Sequence, residues 1–271
     1  MNFAAILMVI VATCLLLLAA IYFFQDRLLY FPEYTTVERA SESGLRAWPS
    51  ANNFRGLIVE PTAALRGTAI VFHGNAGHVG YRGSYAEALV PLGMRVILAE
   101  YPGFGPRPGE VSESSLVADA VETVRLAHRQ FAGPLLIVGE SLGSAVAAAA
   151  AAQQAGHVTG LLLITPWDRL AHVAAHHYRW LPVKWMLRDQ YDTVVNLAKF
   201  EKPVAVAVAE NDLIVPSQFG VALHSTLSGS KQLILIRSSN HSDWPDRVDT
   251  NWWRSVLRFT IGEASLQEVT Q

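Results

Sequence analysis

Two hundred and seventy-one residues, 51% hydrophobic and only 16% charged, make one ordinary domain plus a surplus of apolar sequence, and exclude a disordered or collagen-like chain. A net charge of −2 leaves no excess of Lys and Arg to neutralise phosphates, so nucleic acid is not an expected partner. The single cysteine, Cys14, excludes an intramolecular disulfide and a cysteine-based zinc site.

The surplus sits at the start. Phe3 to Phe24 reads FAAILMVIVATCLLLLAAIYFF, without a charge, and at about 1.5 Å per residue spans roughly 33 Å of hydrocarbon. This predicts a single-pass transmembrane helix, with residues 1–25 as the anchor. The alternative, a cleaved signal peptide, needs a basic leading region and a small-residue cleavage site. Here Lys and Arg are absent before Arg27, and the run ends in bulky Ile21, Tyr22, Phe23 and Phe24. Aromatic rings favour the membrane interface, so Tyr22, Tyr30 and Phe31 predict that Gln25 to Pro32 lies along the bilayer surface. Arg27 and Arg39 follow the span while only the amino terminus is basic before it, which favours a cytoplasmic position for the rest of the chain.

Beyond the anchor, short apolar blocks alternate with stretches of helical spacing, the pattern of parallel strands joined by crossover helices. Thr68 to Phe72, Arg95 to Ala99, Leu135 to Val138, Leu161 to Ile164, Val204 to Ala209 and Leu233 to Ile236 read as buried strands. Tyr81 to Leu92, Ser112 to Arg129, Leu142 to Gln154, Gln218 to Leu227 and Thr250 to Phe259 read as helices. Residues 166–200 break the rhythm with prolines, tryptophans, tyrosines and histidines, and are expected to form a short helical insert over the carboxyl edge of the sheet. The expected organisation is an α/β unit over residues 26–265 carrying that insert, with a C-terminal tail at 266–271.

Gly139-Glu140-Ser141-Leu142-Gly143 follows a strand block and opens a helix, the context in which G-x-S-x-G exposes a nucleophile on a sharp turn. Small residues two before and two after the serine let neighbouring backbone approach. A serine hydroxyl needs a base, and the base needs an orienting acid. Asp212 follows the block Val204 to Ala209, and His241 follows Leu233 to Ile236, so Ser141, Asp212 and His241 occur in the order this architecture uses. Glu210 competes for the acid role but stands closer to its strand.

His73-Gly74-Asn75-Ala76-Gly77 closes the first of these strands, and a loop of small residues can aim backbone N–H groups at a developing oxyanion. The donors are assigned to Asn75 and Leu142, with His73 supporting the loop. His128 and His157 fall near helix ends, where a solvated imidazole is commonplace. His172 and His176 are spaced i, i+4, but HVAAH lacks the Glu of a zinc-protease helix, and no metal site is expected.

With HGNAG, EYPGFG at Glu100 to Gly105, GESLG, TPWDRL, LPVKWMLRDQYD, ENDLIVP and NHSDW in hand, together with FQDRLLYFP after the anchor, the chain resembles the membrane-anchored serine hydrolases of the α/β-hydrolase superfamily, from Phe24 to the last helix. That resemblance implies an eight-stranded, mostly parallel sheet with helices on both faces, no cofactor, and hydrolysis of an ester, thioester or amide. Two departures concern loop shape: His78, where relatives often carry a small polar residue, and Asn240, where Gly commonly precedes the histidine. The expected substrate is a small acyl ester or thioester carried by a lipid or an acylated protein. Trp180 and Trp185 of the insert are the expected acyl-chain contacts, among Trp167, Tyr178 and Met186. A serine peptidase of the same fold is the alternative, and a non-catalytic anchored scaffold the other.

Overall fold

The computed structural model describes residues 3–41, 44–62 and 64–262, so the tail at 266–271 lies outside the described residues. Strands β1 (Arg46–Ser50), β2 (Asn53–Val59), β3 (Gly67–Phe72), β4 (Met94–Ala99), β5 (Leu135–Glu140), β6 (Gly160–Ile164), β7 (Val204–Ala209) and β8 (Lys231–Ile236) form one eight-stranded sheet. Its order is β8-β7-β6-β5-β3-β4-β2-β1. β1 and β2 are antiparallel to their neighbours, and every other pairing is parallel. The fully apolar strands occupy the middle, because a parallel strand with helices on both faces has no side for polar residues. β1 and β2 were not among the six expected blocks: Pro49 and Gly56 interrupt their apolar alternation, and their pairing slips between Trp48 and Pro49.

Period-two alternation divides each central strand between two cores. Ile70, Phe72, Ile97 and Ile137 point to the face covered by α3 (Glu113–Gln130), α4 (Leu142–Gln153) and, past the insert, α8 (Ser217–Thr226). Ala69, Val71, Val96 and Leu136 point to the face covered by α2 (Gly83–Leu89) and α9 (Thr250–Ile261). Among the described residues α4 is the most buried helix: every residue from Leu142 to Ala151 is buried, and its many alanines let it sit close against the sheet. The stretch expected as one helix over Tyr81 to Leu92 is α2 flanked by 3₁₀ turns, Val79–Arg82 before it and Val90–Leu92 after, where Pro91 cannot donate into a continuing α-helix.

Residues 166–200 form three short helices, α5 (Leu170–His177), α6 (Val183–Met186) and α7 (Thr193–Leu197). The first helix, α1 (Phe3–Phe24), has no buried residue and is long and apolar enough to cross a membrane. The segment after α1 packs onto the α/β unit. A helical turn at Asp26–Leu29 leads into Phe31–Pro32, which pairs in parallel with Ala76–Gly77, and Tyr30 is buried. The Tyr30 hydroxyl donates to Asp189 at 2.5 Å and lies 2.8 Å from the Tyr191 hydroxyl, so the polar end of this buried ring is satisfied within the protein.

Candidate active site

β5 ends at Glu140 and α4 begins at Leu142, so Ser141 alone makes the reversal between them. Its φ of 53° and ψ of −120° are unusual for a residue with a side chain, a strain of order 1–3 kcal/mol that surrounding bonds must hold. Ser141 N–H donates to the Ile164 carbonyl at 2.9 Å. Beside it the Ser144 hydroxyl lies 2.8 Å from the Gly139 carbonyl and 3.0 Å from that of Ile164. A Cβ on Gly139 would strike the Gly143 carbonyl, and one on Gly143 would strike the Phe72 carbonyl, so neither position admits a side chain without backbone movement. Glu140 accepts from the Tyr85 hydroxyl at 2.8 Å and from the Trp244 indole at 3.4 Å, which ties this turn to the loop that carries His241. Burial, first, and then the Glu140 carboxylate push the Tyr85 phenol well above its usual range, so it remains a donor.

The structure brings the three expected residues together. His241 Nε2 lies 2.9 Å from Ser141 Oγ, and its Nδ1 lies 2.7 Å from Asp212 Oδ2. The other oxygen, Asp212 Oδ1, accepts from the N–H groups of Ile214 at 2.9 Å and Val215 at 2.7 Å. Asp212 is thus buried, acceptor-saturated and aimed at the imidazole. Glu210 is exposed, and its carboxylate accepts from Ser238 N–H at 2.8 Å, away from His241. A carboxylate opposite Nδ1 favours the tautomer protonated there, which leaves the Nε2 lone pair facing the serine hydroxyl. Asn240, standing where Gly commonly precedes the histidine, folds this loop on itself. Its Oδ1 accepts from Ser242 and Asp243 N–H, and its own N–H donates to Asp243 at 2.7 Å. That backbone bond, opposed by burial and helped by Ser239 and Arg247, lowers the Asp243 carboxyl below its ordinary value.

The expected donor loop is fixed from behind. His73 is buried with Nε2 2.9 Å from Glu100 and Nδ1 2.8 Å from the Gly74 carbonyl, and it supports the loop without facing Ser141. Glu100 also accepts from Val79 N–H at 2.9 Å and Tyr101 N–H at 3.1 Å, while the Tyr101 hydroxyl donates to the His73 carbonyl at 2.8 Å. Sequence reasoning assigned Glu100 no role; an acid directly after a fully apolar strand was the available signal. The Asn75 side chain donates to the Leu29 carbonyl at 2.7 Å, and the Asn75 carbonyl accepts from Phe31 N–H at 2.8 Å. His78 Nδ1 accepts from Gly80 N–H at 3.1 Å and caps the turn at Val79, the task a small polar residue performs at a helix start.

Ser141, Leu142 and Asn75 open into a cavity of about 310 Å³ whose walls include Leu29, Trp167, Leu170, Val173, Leu213 and Val215. None of the residues lining it is Asp or Glu. Trp167 is buried, with its indole donating to the Tyr191 carbonyl at 3.2 Å. Neither of the two tryptophans expected to touch an acyl chain lines this cavity. Trp185 is 84% exposed and lines neither this cavity nor its neighbour, and Trp180, 75% exposed, lines only the neighbour. The insert's apolar character is real, but of its exposed tyrosine and tryptophan rings only Tyr178 lines the cavity at Ser141. Leu29, Leu213 and Ile214 take part instead, and nothing local in their sequence marks them. His172, one helical turn before His176, lies 2.6 Å from Asp168 through Nδ1.

Residues 63–190 match the family described as serine aminopeptidase, S33. An uncharacterized protein of Mycobacterium tuberculosis is 32% identical over 263 residues, covering 89% of each chain. The chain belongs to the α/β-hydrolase superfamily. The lysophosphatidylserine lipase ABHD12 of Danio rerio is 30% identical over 183 residues, which cover 60% of this chain and 48% of that lipase. Among solved structures, Est1E from Butyrivibrio proteoclasticus shares the fold with a TM-score of 0.59 at 16% identity, over 80% of this chain and 94% of that one. The monoacylglycerol lipase of Paleococcus ferrophilus shares it with a TM-score of 0.56 at 18% identity, over 75% and 97%. The family match together with the lipase relative identifies the chain as a hydrolase.

Proposed function

We propose that this hydrolase is anchored in a membrane by residues 1–25 and cleaves carboxylic ester bonds of lipid-like acyl substrates with Ser141 as nucleophile, His241 as base and Asp212 as orienting acid. The observation that carries this reading is the unbroken chain from Ser141 Oγ through His241 at 2.9 Å to Asp212 at 2.7 Å, at the mouth of an apolar cavity.

Ser141 Oγ attacks the acyl carbon as His241 Nε2 takes its proton, and the carbonyl oxygen becomes an oxyanion. Backbone N–H groups of Asn75 and Leu142 receive that charge. Leu142 is the first residue of α4, so its N–H has no acceptor within the helix, and the helix dipole favours negative charge there. Collapse breaks the ester C–O bond, and His241 returns the proton to the leaving alcohol, giving an acyl-serine. Water, deprotonated by His241, attacks that ester and releases the carboxylic acid and free Ser141. A thioester follows the same path with a thiol leaving.

The peptidase alternative needs a free group to hold a peptide's charged amine if it acts on amino termini. Among the described residues no Asp or Glu lines the cavity at Ser141, and the two that line the adjoining cavity are engaged, Asp26 with Arg188 and Asp189 with the Tyr30 hydroxyl. The scaffold reading leaves the strained serine turn without a purpose. Lipase and esterase names among the relatives agree with an apolar acyl site. Assaying the full-length protein and its Ser141→Ala variant on p-nitrophenyl esters, acyl thioesters and aminoacyl anilides tests the proposal. Ester turnover that disappears in the variant is expected. Turnover of the anilides alone would assign a peptidase.

A further inference from the structure

A second cavity of about 310 Å³ lies where the end of α1 meets the insert. Its outer wall is Ile21, Tyr22 and Leu28 of the anchor end, and its opposite wall includes Ala174, Leu181 and Met186 of the insert. Leu29, Leu170, Val173, His177 and Tyr178 line both this cavity and the one at Ser141, so the two share a wall between the anchor end and the nucleophile. Polar bonds hold the two sides in register. Arg188 pairs with Asp26 at 2.5 Å, Arg188 N–H donates to the Gln25 side chain at 2.8 Å, and Gln25 donates to the Met186 carbonyl at 3.2 Å. The Arg188 guanidinium also lies over the Tyr22 ring, 6.0 Å from its centre. A solvent-facing seam closed by such bonds around an apolar space has no evident use for a water-soluble ester, because filling it with water would leave its Leu, Val and Met walls wet.

We propose that this seam is the acyl-chain site: one chain of an ester resident in the adjoining lipid layer enters beside Ile21 and Tyr22, lies between α1 and the insert, and brings its carbonyl carbon to Ser141. The inference rests on the proposed hydrolysis and adds the route and the class of substrate. Each cavity has the volume of a small-molecule site, about 300 Å³ at the low end of the usual range, so the pair in line suits one extended chain rather than a branched or two-chain group. An aqueous substrate would instead approach over exposed Leu213 and Ile214, which line the inner cavity and not the outer one.

Ala174 lines the outer cavity and not the inner one, and its neighbour Ala175 is exposed and lines neither. Ala174→Trp places an indole in the proposed path, whereas Ala175→Trp places the same bulk in solvent. The full chain, reconstituted in phosphatidylcholine vesicles, is assayed on p-nitrophenyl esters from acetate to palmitate. The expected result is that Ala174→Trp lowers the ratio of palmitate to acetate kcat/KM by roughly ten-fold or more, the loss of at least one methylene contact. Ala175→Trp keeps the wild-type ratio. Should Ala174→Trp fail to fold, Met186→Trp obstructs the same path from the facing wall, and the same fall in ratio is expected. An unchanged ratio in a folded plug variant, or an equal fall at every chain length, overturns the route. A wild-type protein inert toward acetate and palmitate alike overturns the hydrolysis reading itself, and the route with it.

Discussion

The Asn75 side chain donates to the Leu29 carbonyl across 2.7 Å and 46 residues of sequence, so the segment that leaves the anchor also holds the loop proposed to receive the oxyanion. Phe31 N–H completes the grip on the Asn75 carbonyl at 2.8 Å. The anchor helix itself contributes no buried residue, whereas Tyr30 behind it is part of the core. The proposed anchoring and the proposed catalytic geometry therefore divide between Phe24 and Leu29. Removal of residues 1–24 is expected to release the protein from membranes while short soluble esters are still hydrolysed within a few-fold of the intact rate. Removal of residues 1–32 is expected to cost about 10²–10³ in kcat, the usual loss when an oxyanion donor is displaced. Comparing both truncations on p-nitrophenyl acetate, with membrane sedimentation alongside, checks the division.

Asp212 and Glu210 make a matched test of the acid. In Asp212→Asn the remaining oxygen still accepts from Ile214 and Val215, so the new amide points its N–H at His241 Nδ1. The imidazole must then accept there and carry its proton on Nε2, where it cannot take one from Ser141. A fall in kcat of about 10⁴ is expected, with folding retained. Glu210→Gln keeps an acceptor for Ser238 N–H and should alter kcat by less than about two-fold. Steady-state kinetics of the two variants reads the difference, and the reverse ranking would move the acid role to Glu210.

Trp185 shows where the sequence stops being informative. Buried parallel strands announce themselves as unbroken apolar runs, and the G-x-S-x-G turn and Asp212 each stand just past one. His241 follows Leu233 to Ile236, expected as buried but in fact part of an edge strand with Leu233 and Leu235 exposed, whose apolar run is legible all the same. Inside the insert there is no run or period long enough to say which aromatic ring faces in: Trp167 is buried, while Trp180 and Trp185 are out. The pairing of Phe31–Pro32 with Ala76–Gly77 was equally hidden, because two-residue strands carry no pattern and the contact joins distant segments. Since Trp185 touches neither cavity, Trp185→Ala is expected to leave kcat/KM within about two-fold at every acyl length. A selective loss on long-chain esters would return it to the binding site.

Four tyrosines set the alkaline limit of the fold. Burial is the largest cause raising the phenols of Tyr30, Tyr85, Tyr101 and Tyr191 above their ordinary value of 10.0, with nearby carboxylates or phenols adding to it. Below about pH 10 neither the folded nor the unfolded chain ionises these groups, and their contribution is complete. Above it the unfolded chain loses phenolic protons that the folded one retains, so stability falls as pH rises. Thermal melts should show Tm declining beyond about pH 10, and ultraviolet titration of tyrosinate should show these four groups ionising only with unfolding. Their titration in a protein that keeps its native near-ultraviolet circular dichroism would contradict the burial account.

Covalent labelling of Ser141 tests the account most directly, because a fluorophosphonate reacts with a serine only when a base withdraws its proton. Incubation of the full-length protein with such a probe, followed by peptide mapping, should place a single adduct on Ser141. Ser141→Ala should show none, and His241→Ala should be slowed by about 10³ or more while the fold persists. An adduct on another serine, or labelling of His241→Ala at the wild-type rate, would contradict the assignment of Ser141 and His241 as nucleophile and base.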